Sequence, residues 1–221
     1  ALGQSKMVRR PIAGILHIVV YVGFVVINIE VLEIIIDGLF GTHRIFSGIG
    51  SLYGVLIGTF EILAALVFVA VIIFWFRRNV VKIQRFMKSE MKGWPKLDGN
   101  LILYFEIVLM GLFIIMNATD VEFQSTNSGN IISQFFAPMF EGYNVHLIER
   151  VAWWMHIVGI LVFLNYLYYS KHLHILLAFP NTYYGSVKPK GYFNNLEAVT
   201  NEVKLMMDPN IDPFATTEED A

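Results

Sequence analysis

The chain has 221 residues, 56% of them hydrophobic and only 15% charged, with a formal net charge of −2. A mean hydropathy of +0.57 sets it apart from ordinary soluble domains, and a charge near zero lacks the basic excess that nucleic-acid binding requires. There is no cysteine, which excludes disulfides, thiol catalysis, Cys-ligated zinc and any iron–sulfur cluster held by these residues alone.

The opening stretch ALGQSKMVRRPIAG leads into an apolar segment too long for a signal peptide and without an obvious cleavage site, so it reads as a retained span. Four segments reach the roughly 20 residues that cross a bilayer. They are residues 11–37, 51–76, 100–117 and 149–178. Their apolar residues show little one-sided periodicity, as expected for helices surrounded by lipid or by other helices. The fold class is therefore an all-α membrane protein, a four-transmembrane-helix bundle over residues 1–180 with a short soluble extension over 181–221. Fourteen of the sixteen Lys and Arg residues lie in the N-terminal stretch, in the connection 77–96, and from Lys171 near the end of the fourth span onward. Only Arg44, in the first connection, and Arg150, at the start of the fourth span, lie at the other side. The positive-inside rule then puts both termini on the cytoplasmic side.

The connections have characters of their own. Residues 77–96 are basic with interspersed apolar residues and predict a helix lying along the membrane surface. In the loop 118–143, IISQFFAPMF reads as an interfacial piece. Beyond Pro180, LEAVTNEVKLMM predicts a short amphipathic helix and the acidic, Pro-punctuated end a linker or disordered tail.

Three of the six histidines, His156, His172 and His174, lie in the fourth segment. If it is one continuous helix, the eighteen residues from His156 to His174 make five whole turns, so both face one side about 27 Å apart. His172 is turned off that line. His17 lies two turns into the first span. An antiparallel fourth span brings His172 or His174 to its depth. Two histidines from facing helices can supply both axial ligands of a b-type haem; the alternative is a His17 that only hydrogen-bonds a neighbouring helix. His156, near the outer end, is a candidate ligand of a second haem, with His43 as the candidate partner across from it. It can equally be a quinol-binding histidine or one packed beside Trp153 and Trp154, which read as interfacial anchors.

Carboxylates at membrane depth are costly and face a bundle interior or a wet cavity. Glu30, Glu33 and Asp37 share one face of the first span, with Glu61 in the second and Glu106 in the third. Together with Arg44 they are candidates for a proton path to or from a quinone. Pairing with Arg44, Arg150 or a partner subunit is the alternative. Asn28 and Asn165 can bond between helices, and Tyr166, Tyr168 and Tyr169 can be interfacial.

At YYSKHLHILLAFPNTYYGSVKPKGYF the sequence resembles the membrane part of heterodisulfide-reductase-like iron–sulfur oxidoreductases, whose cytochrome b domain is similar to the nitrate reductase gamma subunit. His17 and IEVLEIIIDGLFGTHR agree with a bacterial branch of that family, and the likeness covers most of residues 11–195. The resemblance implies His174 as inner-haem ligand opposite His17, and His156 as an outer-haem ligand. It departs at Ile27, where the gamma subunit has a second histidine. It also implies a cluster-binding domain, either on a separate chain or further along a longer one.

The expectation is a multi-pass protein of the bacterial inner membrane. As a subunit or N-terminal domain of a quinone-linked iron–sulfur oxidoreductase, it passes electrons between a (mena)quinone pool and a cytoplasmic iron–sulfur protein through haem b, one haem at the least and a second left open. Its partners are lipid, quinone, that iron–sulfur module and other membrane subunits. The alternative is a haem-free scaffold or a proton-conducting subunit of a larger complex.

Overall fold

A computed structural model describes residues 11–125, 128–188, 191–192 and 195–207. Lys6, Arg9, Arg10, Lys190 and the acidic end 208–221 lie outside them. The described residues form helices and turns with no strand. Contacts divide the chain into two compact units, Ala1–Pro180 and Asn181–Ala221.

Four helices are long and apolar enough to cross a membrane: α1 (Pro11–Phe40), α2 (Ser51–Asn79), α3 (Trp94–Thr119) and, after two short helices α4 (Val121–Ser125) and α5 (Ser133–Phe136), α6 (Val145–Leu167). Pro11 is the first described residue of α1. Asn144 caps α6 by accepting the Leu147 N–H at 3.1 Å.

The main pairings are α1 with α2, α2 with α3 and α3 with α6. α2 and α3 each pack between two long neighbours, and Ile57, Phe60, Ala64 and Val67 along α2 are buried in the core. Close approach depends on small residues. A Cβ on Gly23 of α1 would sit 2.4 Å from Val67, and one on Gly159 of α6 would sit 2.8 Å from Leu109 of α3. α1 and α6 flank a cleft that opens into two cavities.

Three expectations are corrected. The connection 77–96 is not a surface helix. Lys82 (φ 49°) and Gly93 (φ 70°) take left-handed backbone conformations, and only two single turns, Gln84–Phe86 and Ser89–Met91, form between them. α3 begins six residues before the expected Asn100, which brings Asp98 into the bundle. Most consequentially, residues 149–178 are not one helix. α6 ends at Leu167, Ser170 is extended (φ −96°, ψ 150°), a single turn covers Lys171–Leu173, and a new helix α7 (His174–Tyr183) follows. Hydrogen bonds donated to Asp98 from both sides of this break, by the Tyr166 hydroxyl and the Lys171 N–H, favour it over a continued helix. The five-turn register between His156 and His174 is thereby broken.

Other expectations met the structure more simply. IISQFFAPMF forms α5 and the turn Ala137–Phe140, and LEAVTNEVKLMM forms a helix α8 (Glu197–Met207). Asn28 and Asn165 do not bridge helices: their amides donate to Phe24 O and Leu161 O on their own helices.

Candidate functional site

The bundle carries polar groups at both ends and at mid-depth in the α1–α6 cleft. At the basic end, where α2 finishes with Arg77 and Arg78, the helix break gathers histidines. The His172 and His174 rings lie 5.5 Å apart, nearly perpendicular, and the His172 ring meets the edge of Phe163 at 5.7 Å. Burial, with help from neighbouring His174 and His17 and against the pull of Asp98, lowers the His172 pKa to about 4, so its ring is neutral at physiological pH. His174 Nδ1 lies 3.0 Å from Lys171 O, so that contact does not use Nε2. His17 of α1 belongs to the same electrostatic cluster, and its Nδ1 is buried with no hydrogen-bond partner.

At mid-depth a cavity of about 140 Å³ is lined by His156, Glu106 and Asn28 among apolar side chains of α1, α3, α6 and α7. His156 is buried, and its Nδ1 is 3.0 Å from Leu109 O. A backbone carbonyl on one ring nitrogen fixes the ring and directs the other nitrogen outward, as in metal-ligating histidines. Across the cavity α1 presents Ile27 and no histidine.

The Arg44 end is a hydrogen-bonded network. Arg44, in a left-handed conformation (φ 52°), starts the turn Ile45–Ile49. Its guanidinium donates to Asp120 (Nε 3.0 Å, Nη2 2.9 Å), Asn117 Oδ1 (3.1 Å) and Tyr53 Oη (3.3 Å), and lies 4.2 Å above the Phe123 ring. Burial works against the Arg44 charge, but Asp120 overrides it and holds the pKa above its ordinary value. Burial would likewise raise Asp120. The His43 ring, Arg44 and the Phe123 N–H together hold it well below the usual carboxylate range.

Of the expected acidic residues, Glu33, Asp37 and Glu61 join this network, though none bonds the Arg44 guanidinium directly. Tyr53 Oη donates to Glu33, which also accepts the Phe46 N–H at 2.9 Å. Glu61 accepts from Asn117 Nδ2 (3.1 Å) and from the backbone N–H groups of Ile132 (2.7 Å) and Ser133 (3.1 Å). Asp37 accepts from Thr42 Oγ1 and the Arg44 and Ile45 N–H groups. Glu30 is 2% exposed, and its Oε2 has no hydrogen-bond partner. Glu30, Glu33, Asp37, Arg44 and Trp153 line a second cavity, of about 300 Å³.

His43 stands in this network and does not line the cavity of His156, so the structure does not bring the two together. Its ring nitrogens lie 3.4 Å from Asp120 and 3.5 Å from Glu122, and the Asp120 contact raises its pKa against the effect of burial. Two sets of site residues escaped the sequence reading. Tyr53, Asn117 and Asp120 complete the Arg44 network; Asp120 carried a signal, since it caps α4 through the Phe123 N–H at 2.9 Å. Asp98, Tyr166 and Ser170 organise the basic end. Tyr166, read as interfacial, instead donates to Asp98 at 2.7 Å.

The chain is similar to a "probable iron-sulfur-binding oxidoreductase FadF" of Bacillus subtilis, 25% identical over 207 residues that cover 91% of this chain and 28% of that protein. It is also similar to an "EtfAB:quinone oxidoreductase" of Syntrophomonas wolfei, 23% identical over 227 residues, 94% of this chain and 30% of that protein. No family model matches the chain, and no solved structure matches it. The chain thus spans less than a third of the length of these curated relatives, and the likeness supports a relationship to an iron–sulfur oxidoreductase.

Proposed function

We propose that this chain is the membrane electron-transfer module of a quinone-linked iron–sulfur oxidoreductase in a bacterial inner membrane. The observation that carries the reading is the buried His17 Nδ1, without a hydrogen-bond partner among the described residues, on a side chain near enough to His172 and His174 to interact with them electrostatically. An orphaned imidazole nitrogen near the neutral His172 fits a b-type haem that His17 and His174 would hold, with His172 close by. When bound, the haem supplies a one-electron relay. The chain's residues do the rest. Lys171 O holds the His174 ring through Nδ1, and Phe163 packs against His172.

His156, held by Leu109 O, is the candidate for a second ligand or for a hydrogen bond to a quinol; Ile27 opposite it favours the quinol role. Glu106 shares that cavity. Glu30, Glu33, Asp37, Glu61, His43 and Arg44 then form the proton route at the far end, with Glu30, the unpaired carboxyl, as its inner terminus. The Lys and Arg distribution makes the basic end cytoplasmic, where an iron–sulfur partner would exchange electrons. The names of both relatives are in keeping with this partner and with a quinone substrate.

A reduced-minus-oxidised difference spectrum of the purified protein tests the reading. Bands of b-type haem are expected in wild type and are lost in His17→Ala and His174→Ala. A colourless wild type favours the second reading, a haem-free or proton-conducting subunit, for which the unpaired Glu30 is the supporting observation, and bands unchanged in both variants overturn His17 and His174 as the haem ligands.

A further inference from the structure

Asp98 is 1% exposed and sits near the start of α3. An acid so placed ordinarily needs a cation. The nearest guanidinium, that of Arg78, instead donates to Pro95 O and Lys96 O, each at 3.1 Å. Asp98 faces the break between α6 and α7. Its Oδ1 accepts the Tyr166 hydroxyl at 2.7 Å and its Oδ2 the Lys171 N–H at 3.3 Å, with the Ser170 hydroxyl as a further partner. Lys171 Nζ reaches past it to Pro95 O at 2.9 Å. Ser170 Oγ in turn accepts the His172 N–H at 3.1 Å.

We propose that Asp98 is the positioning residue for His172 and His174, a carboxylate on α3 that stops α6 and sets the turn on which both histidines stand. This deepens the haem reading above and rests on it for its purpose. The residues from Tyr166 to Leu177 are mostly apolar or aromatic and contain neither Gly nor Pro, so nothing in their own composition demands a break. A helix that starts anew leaves its first N–H groups without partners. Asp98 takes that of Lys171 and Ser170 takes that of His172. A carboxylate, an acceptor on both oxygens, can serve Tyr166, Ser170 and Lys171 together, whereas an amide would turn a donor towards them. Without it, continuing α6 through Ser170 restores the lost helix bonds and rotates the histidines.

The experiment compares wild type with Asp98→Asn and, as a milder variant that removes one bond, Tyr166→Phe. The first readout is the rate of diethyl pyrocarbonate modification at His172 and His174 in haem-stripped protein, with exposed His146 as the internal reference. The second is the midpoint potential of the b haem in the loaded protein. Asp98→Asn is expected to speed modification of His172 about tenfold, the factor that loss of a charge-assisted hydrogen bond allows, with His146 unchanged. Tyr166→Phe moves the same way by less, and the potential shifts in both. Unchanged modification in an Asp98→Asn protein of wild-type helicity overturns the proposal. If that variant does not fold, unchanged modification in Tyr166→Phe overturns it. A wild type that binds no haem overturns the haem reading alone and leaves the modification experiment intact.

Discussion

Arg44 and Asp120 form a buried, two-nitrogen ion pair: Nε and Nη2 of Arg44 both reach the same Asp120 oxygen, at 3.0 and 2.9 Å. The side chains are 14% and 8% exposed. The pair ties the turn after α1 to the end of α3, and through Asn117 and Tyr53 it reaches Glu61 and Glu33 on α2 and α1. Removing one partner of such a pair leaves the other charge buried and costs about 3–5 kcal/mol, while removing both is far milder. Asp120→Leu and Arg44→Met should each lower the detergent-solubilised protein's melting temperature by many degrees, and the double variant should recover most of the loss. Single-variant losses that simply add in the double variant would show that the pair itself contributes little.

His43 adds a pH dependence to this network. Contact with Asp120 raises its pKa in the folded state. Its contribution is therefore fully present below the unfolded value of about 6.5 and lost as pH rises through the folded value. Asp120, held low, contributes above its unfolded value of about 3.9 and loses that contribution only in stronger acid. Stability should thus be greatest between about pH 4 and 6.5 and decline above that window. His43→Asn should remove the decline. A melting temperature that falls equally with rising pH in both proteins would assign it to another group.

The helix crossings make a steric prediction. Ala at Gly23 would place Cβ 2.4 Å from Val67 Cγ2, whereas Ala at Gly111 would meet nothing nearer than Phe68 at 3.9 Å. Gly23→Ala should destabilise by about 1–3 kcal/mol through overpacking. Gly111→Ala should be neutral or stabilising by up to about 1 kcal/mol, because Gly is the poorer helix former. Equal effects at the two positions would mean that α1 and α2 separate without cost.

These tests separate what was legible in the sequence from what was not. The four spans follow from hydropathy summed over 20 residues or so, a property that tolerates local detail. Glu30, Glu33 and Asp37 were legible as one face because helical spacing alone aligns them. What holds that face is long-range: Tyr53, Asn117 and Asp120 come from α2 and α3, and no local pattern pairs them with Arg44. The break at Ser170 was hidden for the same reason. Its cause, Asp98, lies about 70 residues earlier, just before the apolar run that marked the third span. Apolar continuity across YLYYSKHLHILL read as helical continuity, and so the histidine register built on it did not survive.

The last prediction concerns two neighbours on α1 that differ in one respect. Both oxygens of Glu33 lie within hydrogen-bond reach of the Tyr53 hydroxyl, and Oε1 also accepts the Phe46 N–H. Turning one oxygen into an amide N–H₂ sets donor against donor, at a cost of about 1–3 kcal/mol. Glu30 Oε2 has no donor to lose. Burying a carboxyl without a partner is itself unfavourable, so Glu30→Gln should leave the melting temperature unchanged or raise it, while Glu33→Gln lowers it. Under the proposed function the same Glu30→Gln protein should slow quinol-driven haem reduction, because an amide cannot carry the proton. A protein more stable yet slower would mark Glu30 as a group kept for proton exchange at the expense of stability. If Glu30→Gln instead destabilises as Glu33→Gln does, Glu30 has a structural partner, and the inner terminus of the proton route must lie elsewhere, with Glu106 the remaining acid in the cleft.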